Sequence, residues 1–256
     1  MDNLLDYPLL IFVLSFILLW ISELTGVMLK RRHPVKEGVR EDFAIVQGAT
    51  LTLLGLLIGF TFSMAITRYE QRKIYEEAEA NAIGTEYVRV GLLPAADAAN
   101  GRELLTKYLD QRLLFYTTRI YSARDEQKLE EINAKTAELQ NRLWSVVQIP
   151  AGTQPTPVMA LAVSGMNDVL NSQGYTQAAW WNRIPLEAWF LLAIIAIGCN
   201  LLFGYGAHRM SILFIVLPLA VSLSFFLIAD IDSPRSGIIR VRPPNLVSLR
   251  NSLPPN

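Results

Sequence analysis

Between Phe43 and Thr67 the chain runs for about 25 residues without a charged side chain. It then passes, with no glycine or proline to break it, into Arg68-Tyr69-Glu70-Gln71-Arg72-Lys73. An apolar helix of roughly 20 residues is long enough to cross the hydrocarbon of a bilayer. The join at Thr67–Arg68 therefore predicts one helix that leaves the membrane and continues into water. Such a helix ties an intramembrane surface to a soluble domain, which suits a channel or signalling protein better than a simple anchor. With 52% hydrophobic and 18% charged residues, the chain is too apolar for an ordinary soluble protein and too charged for a bare membrane bundle. Two parts are expected.

Three further stretches have the character of membrane helices. They are Tyr7–Leu29, interrupted by Glu23; Ala188–Ala207, entered through the interfacial aromatics Trp180, Trp181 and Trp189; and Met210–Ala229, with Pro218 inside it as a kink. His208-Arg209 alone joins the last two, so they read as a tight antiparallel hairpin. The N-terminus carries Asp2 and Asp6 rather than Lys or Arg, and no small-residue cleavage site follows, so the first span reads as retained rather than as a signal peptide. The polar stretch between spans two and three reads as helices over Arg68–Val90, Gly101–Ser122, Asp125–Val147 and Val158–Asn171, with a loop from Pro150 to Pro157. No strand pattern appears.

The expectation is an all-α fold of four transmembrane helices with a helical soluble domain inserted between spans two and three. Residues 1–67 form spans one and two with their basic connecting loop, and residues 68–185 the helical domain continuous with span two. Residues 186–229 form the hairpin of spans three and four, and residues 230–256 an extended proline-rich tail. The place of such a chain is the plasma (inner) membrane, multi-pass, with lipid as its surroundings.

Lys+Arg and Asp+Glu balance at 23 each, so no global field recruits nucleic acid. A lone Cys199 permits neither an intrachain disulfide nor a cysteine metal site. No nucleophile–base pair, metal-ligand set or phosphate loop is present, so neither an enzyme nor a cofactor is expected. His33 and His208 read as solvated loop residues. Glu76, Glu77 and Glu79, beside Arg72 and Lys73, read as a solvated helix face.

The second span is different. Thr52, Leu56 and Phe60 lie one turn apart along it, and Gly55-x-x-x-Gly59 permits close helix approach. Two readings follow: a buried bundle helix, or a pore-lining helix with a hydrophobic constriction that gates by dewetting.

Leu54-Gly55-Leu56-Leu57-Ile58-Gly59-Phe60, followed by Thr67-Arg68-Tyr69, resembles the second helix of bestrophin channels. Arg68-Tyr69-Glu70, the run Glu77 to Thr85, Leu92-Leu93-Pro94, Arg183-Ile184-Pro185 and the run Ile228 to Arg235 resemble a bacterial bestrophin-like membrane protein family. That resemblance implies a homo-oligomeric, pentameric channel for inorganic ions, its pore lined by the second helix. The three neck positions fall on Thr52, Leu56 and Phe60, of which Thr52 departs from the apolar pattern and makes the neck shorter or wetter there. The acidic calcium clasp that follows the last span in vertebrate bestrophins is reduced here to Asp230 and Asp232, so no calcium gating of that type is expected. Arg68, Glu77, Asn81 and Asp232, near membrane ends, are the residues expected to couple pore helix and domain, and Arg68 and Arg72 would favour anions if they faced the axis. Two orientations stand open: the basic loop around Lys30-Arg31-Arg32 places the helical domain outside by the positive-inside rule, whereas the resemblance places it in the cytoplasm. The competing function is a non-conducting scaffold or stress-sensing module that binds a protein partner through the helical domain. Side chains of Thr52, Leu56 and Phe60 that interlock within one chain would favour it.

Overall fold

The computed structural model describes residues 4–33, 38, 40–207 and 212–254. Regular structure among the described residues is helical throughout: α1 Pro8–Arg32, α2 Arg40–Arg89, α3 Ala95–Thr117, α4 Ala123–Thr153, α5 Pro157–Trp181, α6 Leu186–Gly206, α7 Val216–Asp232 and α8 Pro244–Ser252. Short 3-10 turns precede α1, follow α2 and precede α7. The His208-Arg209 turn and the start of the fourth expected span at Met210 lie outside the described residues.

Helix α2 is 50 residues long, about 75 Å at 1.5 Å per residue. It runs through Thr67–Arg68 without interruption, as the unbroken charge boundary predicts. Among the described residues, three helical stretches are long and apolar enough to cross a membrane: Pro8–Arg32, Arg40–Leu92 and Pro157–Gly206. The expected fourth span is represented by α7, which has 17 residues, about 26 Å, against a hydrocarbon core of about 30 Å. Pro218 stands in its first turn, where a missing N–H costs nothing, and so marks a start rather than a kink.

Other boundaries also differ from expectation. Helix α4 runs on through Pro150 to Thr153, and α5 runs through Gly174 to Trp181, because tertiary packing overrides these local breakers. The tail is not extended: Pro243 and Pro244 open α8, with Pro244 at a helix start where proline is favoured.

The chain divides into two compact units. The first comprises residues 1–68 and 183–240, the second residues 69–182 and 241–256. In the first, α1 packs on α6 and α7. Gly26 lies directly on the backbone of Leu201 and Tyr205, and Gly204 on the carbonyl of Glu23, so a side chain at either would force the helices apart. Lys30 closes the far end of α6 by donating to the Ala207 carbonyl at 2.6 Å. Outward from this contact α1 presents Leu9, Val13, Ile17 and Ile21, and α6 presents Phe190 and Ile194, all exposed. Apolar faces of this size on several helices are what a lipid solvent requires.

In the second unit, α3 packs on α4 and α8, and α4 on α5, around Leu105, Tyr108, Leu109, Phe115, Leu143 and Met166. Trp180, expected at a membrane interface, belongs to this core and packs 5.0 Å from the Phe115 ring. Trp181 beside it is 75% exposed.

Candidate pore helix

Within the first unit, one narrow stripe of α2 is buried: Leu54, Thr61 and Ala65, seven and four residues apart and so on one face of the helix. Cys199 of α6 donates its thiol to the Thr50 carbonyl at 3.3 Å, and Phe43 meets Tyr205 with ring centroids 5.5 Å apart. These contacts place α2 against α6 and leave the rest of its circumference open. On the side turned away from the buried stripe stand Thr52, Leu56 and Phe60, the last two 53% and 60% exposed. The Thr52 hydroxyl donates to the Gly48 carbonyl at 2.9 Å, so its proton is spent inside the helix. Thr52 is therefore less polar toward its surroundings than its residue type suggests.

Gly55 and Gly59 stand beside this stripe. A methyl group built on either would meet nothing within 4 Å. Between α1 and α6 the close approach of helix backbones is made by Gly26 and Gly204 instead, on different helices where no single-helix spacing motif reveals them.

The residues expected to couple pore and domain separate. Arg68 lies 4.0 Å from Asp232, and the other oxygen of that carboxylate accepts the Ile184 backbone N–H at 3.1 Å. Asp230 accepts the Ile238 and Ile239 N–H groups at 2.7 and 2.8 Å, which folds the chain back after α7. The two aspartates thus serve backbone amides and an arginine. Among the described residues no group of acidic, histidine or cysteine side chains is arranged to hold a metal ion. Glu77 and Asn81 belong to the second unit and are exposed on α2.

The expected solvated face of α2 is the largest correction. Arg72, Glu76 and Glu79 are 1%, 1% and 0% exposed, while Lys73 and Glu77 are exposed as expected. Arg72 donates to the carbonyls of Ala179 and Asn182 at 3.1 and 3.2 Å, capping the C-terminal end of α5, where a cation complements the helix dipole. Glu76 accepts the backbone N–H groups of Asn245 and Leu246 at 3.0 and 2.9 Å, capping the N-terminal end of α8. Glu79 pairs with Arg112 of α3 and also accepts from Tyr116 at 3.1 Å and Thr176 at 3.0 Å. These residues recur every three to four positions, so the signal was in the sequence, but charge was read as solvation. Neither Arg68 nor Arg72 belongs to the open face of α2. The exposed charged side chains that follow it on α2 are Glu70, Lys73 and Glu77, of mixed sign.

A search of curated proteins by sequence finds no match. Among solved structures, a bacterial bestrophin homologue from Klebsiella pneumoniae superposes with a TM-score of 0.61 at 14% identity, over 94% of this chain and 99% of that one. A variant of a crystallised membrane protein gives 0.60 at 13% identity, over 94% and 95%. A point variant of the Klebsiella homologue gives 0.56 at 12% identity, over 94% and 95%. At these identities the likeness is one of fold. The sequence itself matches the model of the Bestrophin-like domain over residues 10–246, nearly its whole length, and the chain therefore belongs to the bestrophin-like family.

Proposed function

We propose that this protein is a homo-oligomeric ion channel, a pentamer by family resemblance, in which α1, α2, α6 and α7 cross the membrane and α2 lines the pathway. The observation that carries this reading is the open face of α2. Leu56 and Phe60 are large, apolar and exposed on the side away from the stripe that packs on the rest of the chain. A hydrophobic ring of such side chains limits flux by excluding water, and smaller residues there relieve the barrier. Gly55 and Gly59, with free space beside them, let neighbouring copies approach closely along the same helix.

Interlocking of Thr52, Leu56 and Phe60 within one chain would favour a scaffold; their exposure supports the channel instead. The inward placement of Arg68 and Arg72 removes the argument for anions. Glu70, Lys73 and Glu77, the exposed charges that follow Thr67 on α2, are of mixed sign and favour neither kind of ion. Coupling of the pore helix to the helical domain would run along α2 itself, with Arg68–Asp232 fixing its membrane half and Glu77 and Asn81 exposed further along.

The test is current across planar bilayers containing purified wild-type protein or the Leu56→Ala/Phe60→Ala double variant. The expected result is a wild-type conductance that rises at least several-fold in the double variant. Silence in both, from protein shown to be folded and oligomeric, would reject conduction through α2.

A further inference from the structure

Helix α2 buries three carboxyl groups in the second unit, and two of them are provided for. Glu76 caps α8, and Glu79 is held by Arg112, Tyr116 and Thr176. The third, Glu86, is 0% exposed, and neither of its oxygens has a hydrogen-bond partner among the described residues. A buried carboxylate without hydrogen bonds is far costlier than the neutral acid.

Glu86 faces α5 at Gly165. A Cβ at that position would overlap Glu86 Oε2 and stand 2.7 Å from Arg89 Nη1, so the carboxyl and the guanidinium flank the same glycine. Arg89, one turn on in α2, also lies 4.0 Å from Asp168 of α5. These two charges act on Glu86: burial raises its pKa, Arg89 opposes the rise and Asp168 adds to it, to a net value of about 8. Arg102 of α3 is turned instead to the Tyr87 carbonyl and ring.

The two halves of α5 are held differently. Thr176 donates to Glu79, and Arg72 to the Ala179 and Asn182 carbonyls, which ties the second half to α2. The first half, around Gly165, is held by the buried side chains of Met159, Ala162, Met166 and Val169 and by the Arg89–Asp168 pair. Such an exposed pair is worth little. Water admitted at Gly165 would reach Glu86 and take its proton. Opening there and loss of the proton are therefore linked, and pH drives both.

We infer that the contact of α2 with the first half of α5 is a proton-operated latch. Protonated Glu86 lets α5 lie closed on it at Gly165. The carboxylate claims water and Arg89, Arg89 leaves Asp168, and the first half of α5 loosens while the second stays tied.

The test is hydrogen exchange of the full-length protein in detergent, read by mass spectrometry. At each pH the wild-type rate is divided by that of Glu86→Gln, which cancels the intrinsic pH dependence of exchange. For the amides of residues 158–169 this ratio should rise about ten-fold per pH unit from about pH 5 to about 8 and then level off, the slope of a single proton. If Glu86→Gln does not fold, wild-type rates corrected for intrinsic exchange should show the same rise. Asp168→Asn, which frees Arg89 for Glu86, should bring the plateau to lower pH. A flat ratio would overturn the latch. So would amides of α3 and α4 that exchange as fast and rise as steeply, since the whole unit would then open at once. A plateau that Asp168→Asn leaves in place would overturn the transfer of Arg89. None of these readings depends on whether the protein conducts ions.

Discussion

In the unit containing α1, α6 and α7, α1 and α6 meet closely through glycine, Gly26 lying on the α6 backbone at Leu201 and Tyr205 and Gly204 on the α1 backbone at Glu23. In the unit containing α3, α4 and α5 the helices meet around an apolar core that also encloses Glu79, Arg112 and Glu86, each 0% exposed. The difference follows from the solvent. Lipid is as apolar as leucine, so burying leucine against leucine drives little association, and helices gain by bringing backbones close. In water, apolar burial is the main driving force. A core that gains from it can absorb the desolvation of a paired charge such as Glu79–Arg112, and of a carboxyl group such as Glu86 that keeps its proton. Gly55 and Gly59 of α2 stand outside this scheme, with the small-residue spacing of a membrane contact and no neighbour in the chain.

The sharpest way to break the comparison is to give these glycines side chains. Gly204→Leu drives a side chain into the Glu23 carbonyl, a backbone atom that cannot step aside. It should cost ~3 kcal/mol or more, seen as loss of monodisperse protein in detergent. Gly59→Leu should leave the single chain about as stable as before, since nothing stands within 4 Å. If it also dissociates the oligomer on a sizing column, the open face of α2 is a contact between copies. Equal damage to folding from both substitutions would mean that α2 packs within the chain after all.

The helical unit is tested through its ion pair. Arg112 reaches Glu79 with both fully buried, and its guanidinium also lies 4.3 Å from the centroid of the Phe115 ring. Arg112→Met leaves a buried carboxylate without its cation and should destabilise by about 3–5 kcal/mol, lowering the thermal midpoint. Adding Glu79→Leu removes the stranded charge and should restore most of that loss. A double variant no better than the single one would show that Glu79 is held by Tyr116 and Thr176 alone.

The same contrast explains what the sequence disclosed. The long charge-free run of α2 and its uninterrupted exit were legible because helix length and charge boundaries are local. So was the one-turn spacing of Thr52, Leu56 and Phe60, although helical spacing alone does not say whether such a stripe is buried or open. The Gly26–Gly204 crossing was not, because its partners are far apart in the chain and each glycine is unremarkable in its own helix. The caps formed by Arg72 and Glu76 were missed for a related reason. A charged residue on a helix face reads as solvated until the end of another helix is known to arrive there. The tail was misread because its prolines suggest extended chain, while Pro244 at the start of α8, Glu76 on that helix's first amides and a fully buried Leu246 make it helical.

Glu86 supplies the smallest and most specific test. It lies in the helical unit, 19 residues beyond the apolar part of α2, with Gly165 directly against its carboxyl group. Burial pushes its pKa up from 4.5 to about 8, Arg89 pulling it down and Asp168 raising it further. Between pH 4.5 and about 8 the folded protein therefore keeps on Glu86 a proton that the unfolded chain has already released. Stability from this residue is greatest below the unfolded value and declines as pH rises toward the folded one. Glu86→Gln, of the same shape and without a charge, should match wild type near pH 5 and exceed it near pH 8.5 by a few degrees in thermal midpoint, on the order of 1 kcal/mol. The difference between the two proteins, followed across pH, cancels the titration of every other group. If it stays flat, Glu86 ionises as freely in the folded state as in the unfolded one, and the helical unit tolerates a bare carboxylate that its packing should not allow.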